Sequence, residues 1–341
     1  MNYRTFPKTD LTASEVGFGV WTLTAGWWGS YTDNEATALL CKAFDLGVTF
    51  FDTADTYGNG RGEEIMPKAL GKQRHQIVLS TKVGYDFYNH TGPRTGQREW
   101  PQDWSREFVR FACDQSLKRL GTDYIDLYQL HNARMDAIDS DELFATLEEL
   151  KREGKVRHYG VALGPAIGWR DEGLAAMRCR DIPALQVIHN MLEQDPGRDF
   201  LPVARRTQTG IMVRVPHSSG MLEGKYTLET TFPPEDHRSH RPRQWLVDGL
   251  KKLEHLSFLH EGRDITVGQA AIKWLLADPL VITVLPNIYD EEQLLEFAAA
   301  PDKADLTSDD LAKVAELYDK NFYLEPESAT EPAQEQTAQA R

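Results

Sequence analysis

Between residues 15 and 300 a short apolar, β-rich run gives way eight times to a stretch with apolar residues at helical spacing. Few architectures are open to such a chain, because parallel strands need crossover helices and those helices must cover the sheet. The runs are 15–19, 48–52, 77–82, 124–131, 156–161, 184–188, 210–215 and 281–285. Helices are predicted over 33–47, 63–70, 105–120, 140–153, 169–177, 199–207, 266–277 and 291–300. The periodicity is clearest where Ala36, Leu39, Leu40 and Phe44, and then Leu143, Phe144, Leu147 and Leu150, fall on one face. Gly47, Gly121 and Gly154 stand where helices should stop.

Eight βα units over this length suit a closed parallel barrel, typically about 250 residues plus insertions. The alternative, an open doubly wound sheet, wants a glycine-rich phosphate turn after its first strand. Gly17-Phe18-Gly19-Val20-Trp21-Thr22 lacks the third glycine and runs into aromatics, and Gly58-Asn59-Gly60-Arg61-Gly62 reads as a flexible turn. The fold class is therefore α/β, a (β/α)8 TIM barrel. Its long connections, 84–103 and 217–260, belong at the C-terminal face and are expected to wall a substrate site, with Trp27, Trp28, Tyr85 and Trp100 near its mouth. An extra C-terminal helix over 307–319 is capped by Thr307 with Asp310, and the residues before Glu15 are expected to form a hairpin at the barrel's bottom. Residues 1–324 read as one domain and 325–341, poor in apolar residues, as a disordered tail.

A net charge of −14 leaves no basic face for nucleic acid or an anionic membrane. No apolar run approaches a membrane span and the first residues carry no signal-peptide pattern, so a cytoplasmic protein is expected. Cys41, Cys113 and Cys179 are isolated, which argues for buried free thiols over disulfides or a metal site. No metal is expected.

Chemistry gathers at the ends of three consecutive runs. The second closes on Asp52, with Tyr57 five residues on; the third closes on Lys82 and the fourth on His131. In a barrel these ends share one face, so the four should converge. A lysine beside a tyrosine supports a proton donor, Asp52 supplies the counter-charge that holds Lys82, and His131 can orient a substrate carbonyl.

These residues resemble the motifs of the aldo-keto reductase family. Its Asp-x-x-x-x-Tyr-Gly is matched by Asp52 and Tyr57-Gly58, its Thr-Lys by Thr81-Lys82, and its Asp-Leu-Tyr-x-x-His by Asp126 to His131. Arg119-Leu120-Gly121-Thr122-Asp123-Tyr124 and Leu222-Glu223-Gly224-Lys225-Tyr226 are similar to the family in the same order. The resemblance implies an oxidoreductase that moves a hydride between a nicotinamide dinucleotide and a carbonyl or alcohol, of sugar or small aldehyde or ketone type. Tyr57 would be the acid–base group, Asp52 and Lys82 its supports, and His131 the orienter. It implies cofactor contacts at Gly19, Val20, Trp21, Asp52, Gln186, Arg214, Pro216, Pro286, Asn287 and Gln293.

That cofactor set departs from the family. Its Gly-Val-Ser-Asn reads Gly160-Val161-Ala162-Leu163, its ring-stacking aromatic is Arg214, and Gln293 stands where Arg or Lys is frequent. Asp290, Glu291 and Glu292 are the only charges between 287 and 293, which favours NAD over NADP unless Arg241 or Arg243 folds over. Two alternatives stay open: a dinucleotide-binding regulatory subunit, and a redox-neutral lyase or isomerase on the same barrel.

Overall fold

The structure is a computed structural model that describes residues 1–26, 29–90, 99–164, 169–234 and 236–324. The expected tail, Trp27 and Trp28 lie outside them. A hairpin of β1 (Tyr3–Thr5) and β2 (Thr12–Ser14) precedes eight parallel strands: β3 (Phe18–Gly19), β4 (Phe50–Asp52), β5 (Val78–Val83), β6 (Ile125–His131), β7 (Val156–Ala162), β8 (Ala184–Ile188), β9 (Gly210–Arg214) and β10 (Val281–Leu285). They neighbour one another in chain order from β3 to β10. Residues before β3 close the ring, since Val16 bridges Val284, Gly17 N donates to Val284 O at 2.9 Å and Val284 N to Glu15 O at 2.9 Å. This is the (β/α)8 barrel.

The first run, 15–19, therefore splits its duties between two neighbours and is regular only over Phe18–Gly19. Gly17 permits this: a Cβ there would lie 2.8 Å from Leu285 Cδ2 and 3.0 Å from Phe50 Cδ1. The second run starts at Phe50 and not at residue 48, because Val48 N is committed to Ala43 O in the turn that ends the preceding helix. Local chemistry sets other boundaries as read from sequence. Ser105 Oγ accepts from Phe108 N, Gly121 takes the left-handed C-cap at φ 59°, and Thr307 and Asp310 form a capping box on helix Ser308–Asp319.

Apolar side chains fill three regions. The largest lies between strands and helices. The second floors the barrel, where Phe6, Leu11 and Ala13 from the hairpin meet Phe50, Leu127, Met212 and Leu285. Arg4 fastens that hairpin, donating to Asp278 O (2.8 Å), Val281 O (2.8 Å) and Leu276 O (2.7 Å) while pairing with Glu15 (2.7 Å). The third lies under the long connection at 217–260, which contains the helix Arg243–His255; Leu256 and Leu259 pack there with Val314, Leu317 and Phe322 from the C-terminal end. Cys113 is buried, Cys41 half-buried and Cys179 exposed, so the expectation of a buried thiol fails at Cys179, the last residue of its helix. Among the described residues no helix is long and apolar enough to cross a membrane, and no group of His, Cys, Asp and Glu is placed to hold a metal ion.

Candidate active site

Register brings the polar strand ends together. Asp52 of β4 lies opposite Ser80 of β5, and Lys82 of β5 lies opposite Gln129 of β6. Lys82 Nζ donates to Asp52 Oδ2 at 2.6 Å, to Thr53 O at 2.7 Å and to the Tyr57 hydroxyl at 3.2 Å. Lys82 is 1% exposed and Asp52 4%, so the pair is shielded from water. Burial by itself would discharge the ammonium, but Asp52 and then Tyr57 outweigh it and hold the Lys82 amine above its ordinary value.

Tyr57 sits in the turn after β4, with its N bonded to Ala54 O (3.1 Å) and its carbonyl receiving Gly62 N (2.8 Å). Gly62 packs close behind it: a Cβ there would be 2.7 Å from Thr53 Oγ1 and 2.8 Å from Tyr57 Cβ. His131, half-buried at the end of β6, turns its ring edge-on to Tyr57, with centroids 5.9 Å apart, and to Tyr85, at 5.0 Å. The structure thus brings Asp52, Tyr57, Lys82 and His131 to one end of the barrel.

A second network braces this group from outside. Thr81 Oγ1 donates to Glu63 Oε1 (2.6 Å), and Arg119 donates to Glu63 Oε2 (2.7 Å) and to the Tyr88 hydroxyl (2.8 Å). Asp55 is fully buried and neither carboxyl oxygen has a hydrogen-bond partner. Burial, and then the charge of Glu63, push its carboxyl well above the usual range.

The residues expected to hold a dinucleotide line the other side of the same opening. Gly19 ends β3, Val20 and Trp21 follow it, and Val20 N donates to Asp52 O at 2.9 Å. Gln186 of β8 is 1% exposed and its Nε2 has no hydrogen-bond partner among the described residues. Ala162 lies opposite it in register, and Leu163 N donates to its carbonyl at 2.9 Å. Arg214, at the end of β9, reaches across to donate to Leu163 O at 2.8 Å. Pro216 opens a turn in which Val215, Ser218, Ser219 and Gly220 all take positive φ (56°, 48°, 56° and 93°). A positive φ is strained for the β-branched Val215, and the turn spends its own donors, Ser218 N on Val215 O (3.2 Å) and Gly220 N on His217 O (3.0 Å). Glu193 secures it, accepting from Asn190 Nδ2 (2.8 Å) and Ser218 Oγ (3.3 Å).

At the remaining end of the groove, Pro286 is buried and Asn287 half-buried. Gln293 is turned inward: its Oε1 accepts from Tyr289 N (2.9 Å) and its Nε2 donates to Glu223 Oε2 (2.9 Å). Glu223 Oε1 is buried without a partner, and burial raises its carboxyl to about 7 against the pull of Arg238 and Lys225. The cation that folds over from the long connection is not Arg243, which donates to Thr230 O at 2.9 Å. Arg241 reaches Ser219 Oγ at 3.4 Å, and Arg238, which was not foreseen, lies 5.9 Å from the Tyr289 ring while gripped by Asp236 at 2.6 Å. The three acids are also less bare than the sequence implies, since Lys42 meets Glu291 at 3.1 Å and Lys225 meets Glu292 at 3.8 Å.

Gln129 also escaped the sequence reading. Its Nε2 donates to Asp52 Oδ1 (2.9 Å) and Ser80 Oγ (2.7 Å), fixing the carboxylate from the side opposite Lys82. Its place two residues before His131 on one strand was a usable signal, because alternate residues share a face. Glu223 stood within the family-like motif 222–226, which marked the segment and not its role, and nothing local distinguishes the half-buried Glu193 from a solvated glutamate.

Residues 15–319 match the sequence model of the Aldo/keto reductase family. The chain is 30% identical to an uncharacterized oxidoreductase of Bacillus subtilis, over 95% of this chain and 98% of the relative. It is 28% identical to the NADH-specific methylglyoxal reductase of Escherichia coli, over 86% of this chain and 91% of that one. Among solved structures, the glycerol dehydrogenase of Gluconobacter oxydans superposes with a TM-score of 0.80 at 25% identity, over 97% of this chain and 99% of that chain.

Proposed function

This chain belongs to the Aldo/keto reductase family, and from that premise we propose that it moves a hydride between a nicotinamide dinucleotide and a small carbonyl or alcohol, with Tyr57 exchanging the proton. The observation that carries the proposal is the contact of a buried, charged Lys82 with both Asp52 and the Tyr57 hydroxyl. A dinucleotide, when bound, supplies or accepts the hydride. The protein's own groups handle everything else. A carbonyl oxygen lodged between Tyr57 and His131 accepts hydrogen bonds there, and as negative charge grows on it the phenol passes its proton across. Lys82 then donates to a phenolate instead of a phenol, and Asp52, held by Gln129, keeps the ammonium in place through both states.

The buried Nε2 of Gln186 suits the amide of such a cofactor. Of the two dinucleotides NAD is favoured. Glu223 offers an unpartnered carboxyl oxygen to a ribose hydroxyl, Asp290 to Glu292 disfavour a 2′-phosphate, and Arg238 already serves Asp236. The specificity named for the Escherichia coli relative points the same way, and its substrate, with that of the Gluconobacter enzyme, points to small aldehydes, ketones or polyols.

The test is a turnover assay, following the near-ultraviolet band of reduced nicotinamide with NADH or NADPH and a panel of small aldehydes, ketones and sugars. Turnover with NADH that is abolished in Tyr57→Phe supports the proposal. Binding of neither dinucleotide by the wild-type protein overturns it, and tighter binding of NADPH than NADH overturns the preference alone.

A further inference from the structure

Arg214 is a half-buried cation with no carboxylate partner among the described residues. Its one hydrogen bond among the described residues is to a backbone carbonyl, Leu163 O, and no described carboxylate lies within ion-pair distance. Asp52, the nearby acid, is already committed to Lys82 at 2.6 Å. Burial is the largest influence on the Arg214 guanidinium and pulls it below its ordinary value, ahead of the opposing influences of Tyr57, Asp52 and Tyr85. Arginine stays charged even so. Arg214 belongs to β9 and Leu163 follows β7, so the side chain spans the end of β8, the strand that carries Gln186. A half-buried charge with no described carboxylate to pair with thus stands at the strand ends, beside the amide we assign to nicotinamide.

We infer that Arg214 makes this site hold a reduced nicotinamide more tightly than an oxidised one and thereby sets the internal balance of the reaction. The inference rests on the dinucleotide reading above. The oxidised ring carries one positive charge and the reduced ring none, so a fixed cation beside it repels only the oxidised form. An aromatic side chain at this position would act in the opposite sense, since its negative face attracts the cationic ring. Weaker binding of the oxidised form raises the potential of the bound couple, by about 30 mV for each tenfold difference in affinity. The carbinol carbon gives up a hydride, two electrons and a proton, to the ring while its hydroxyl proton passes to Tyr57. Relative to free cofactor, Arg214 shifts this bound equilibrium towards carbonyl product and reduced dinucleotide, by the ratio of the two affinities. Arg214 acts here by its charge and need touch no reacting atom.

The experiment is a titration of the full chain with NADH and with NAD⁺, by fluorescence or calorimetry, for wild type, Arg214→Met, Arg214→Gln and Arg214→Lys. The wild type should bind NADH at least about tenfold more tightly than NAD⁺. Neutral variants should lose most of that ratio by gaining affinity for NAD⁺, and Arg214→Lys should keep it. A wild-type ratio of one or less overturns the inference even if no variant folds, and so does a ratio unchanged in a folded neutral variant. Binding of neither form by the wild type is a different failure, that of the functional reading itself, and takes this inference with it.

Discussion

Replacing Lys82 by Met removes one half of an ion pair that has no water to fall back on. Asp52 would be left with the Gln129 amide at 2.9 Å as its remaining side-chain partner, in a site where it is 4% exposed. Leaving one charge of a buried pair uncompensated costs about 3–5 kcal/mol, a large part of the 5–15 kcal/mol by which domains are stable. Asp52→Leu should cost a similar amount for the converse reason. The double variant Asp52→Leu/Lys82→Met, with no charge to strand, should be destabilised no more than either single, apart from roughly 1 kcal/mol for the Gln129 donor, which keeps Ser80 Oγ. Urea unfolding followed by circular dichroism measures all three, and the cycle isolates the coupling. Additive losses, or a Lys82→Met cost below about 1 kcal/mol, would refute the argument that the pair is desolvated and mutually dependent. Turnover should be lost in all three variants, including the stable double, which separates the chemistry of Lys82 from its effect on folding.

Other outcomes follow from the same geometry. Tyr57→Phe should lower turnover by about 10²–10⁴-fold, as loss of a general acid–base group does, while dissociation constants for the dinucleotide stay within about twofold. Gly62→Ala should cost about 1–3 kcal/mol and reduce turnover, because the new methyl meets Thr53 and Tyr57 below 3 Å; a thermal scan and a rate would show it, and an unperturbed variant would mean that the turn is free to shift. Glu223 should make stability fall with rising pH. Its carboxyl is raised from 4.5 to about 7 chiefly by burial, so between those values the folded state holds a proton that the unfolded state has released. Glu223→Gln should therefore match the wild type below that window, gain on the order of 1 kcal/mol above it, and be recognised by urea titrations at both ends. A gain that persists at low pH would assign the effect to packing.

The alternation of eight apolar runs and helical patterns made the barrel legible, because strand and helix periods are local properties. Cap residues such as Ser105 and Thr307 were legible for the same reason. The four polar strand ends could be grouped because a barrel sends all its strand ends to one face, so topology alone brings Asp52 to Lys82. What escaped were partners supplied by long connections. Arg238 and Asp236 lie in a stretch with no strand register to place them, and their meeting with Tyr289 depends on how the connection folds back. The helix Arg243–His255 is a different case, since Leu246, Gly249, Leu250 and Leu253 stand at helical spacing and its period was there to be read.

The hairpin that floors the barrel bears on how the chain comes off the ribosome. Arg4 precedes every barrel strand, yet the carbonyls it needs belong to Leu276, Asp278 and Val281, and Phe6 and Leu11 rest partly on Ile282 and Leu285. Until those residues emerge, two large apolar side chains of the leading segment have no finished surface to cover. Contacts of such wide sequence separation are slow to form and leave sticky surface exposed meanwhile. Synthesis that stalls before β10 therefore leaves the hairpin without its seat, with Phe6 and Leu11 uncovered until Ile282 and Leu285 arrive.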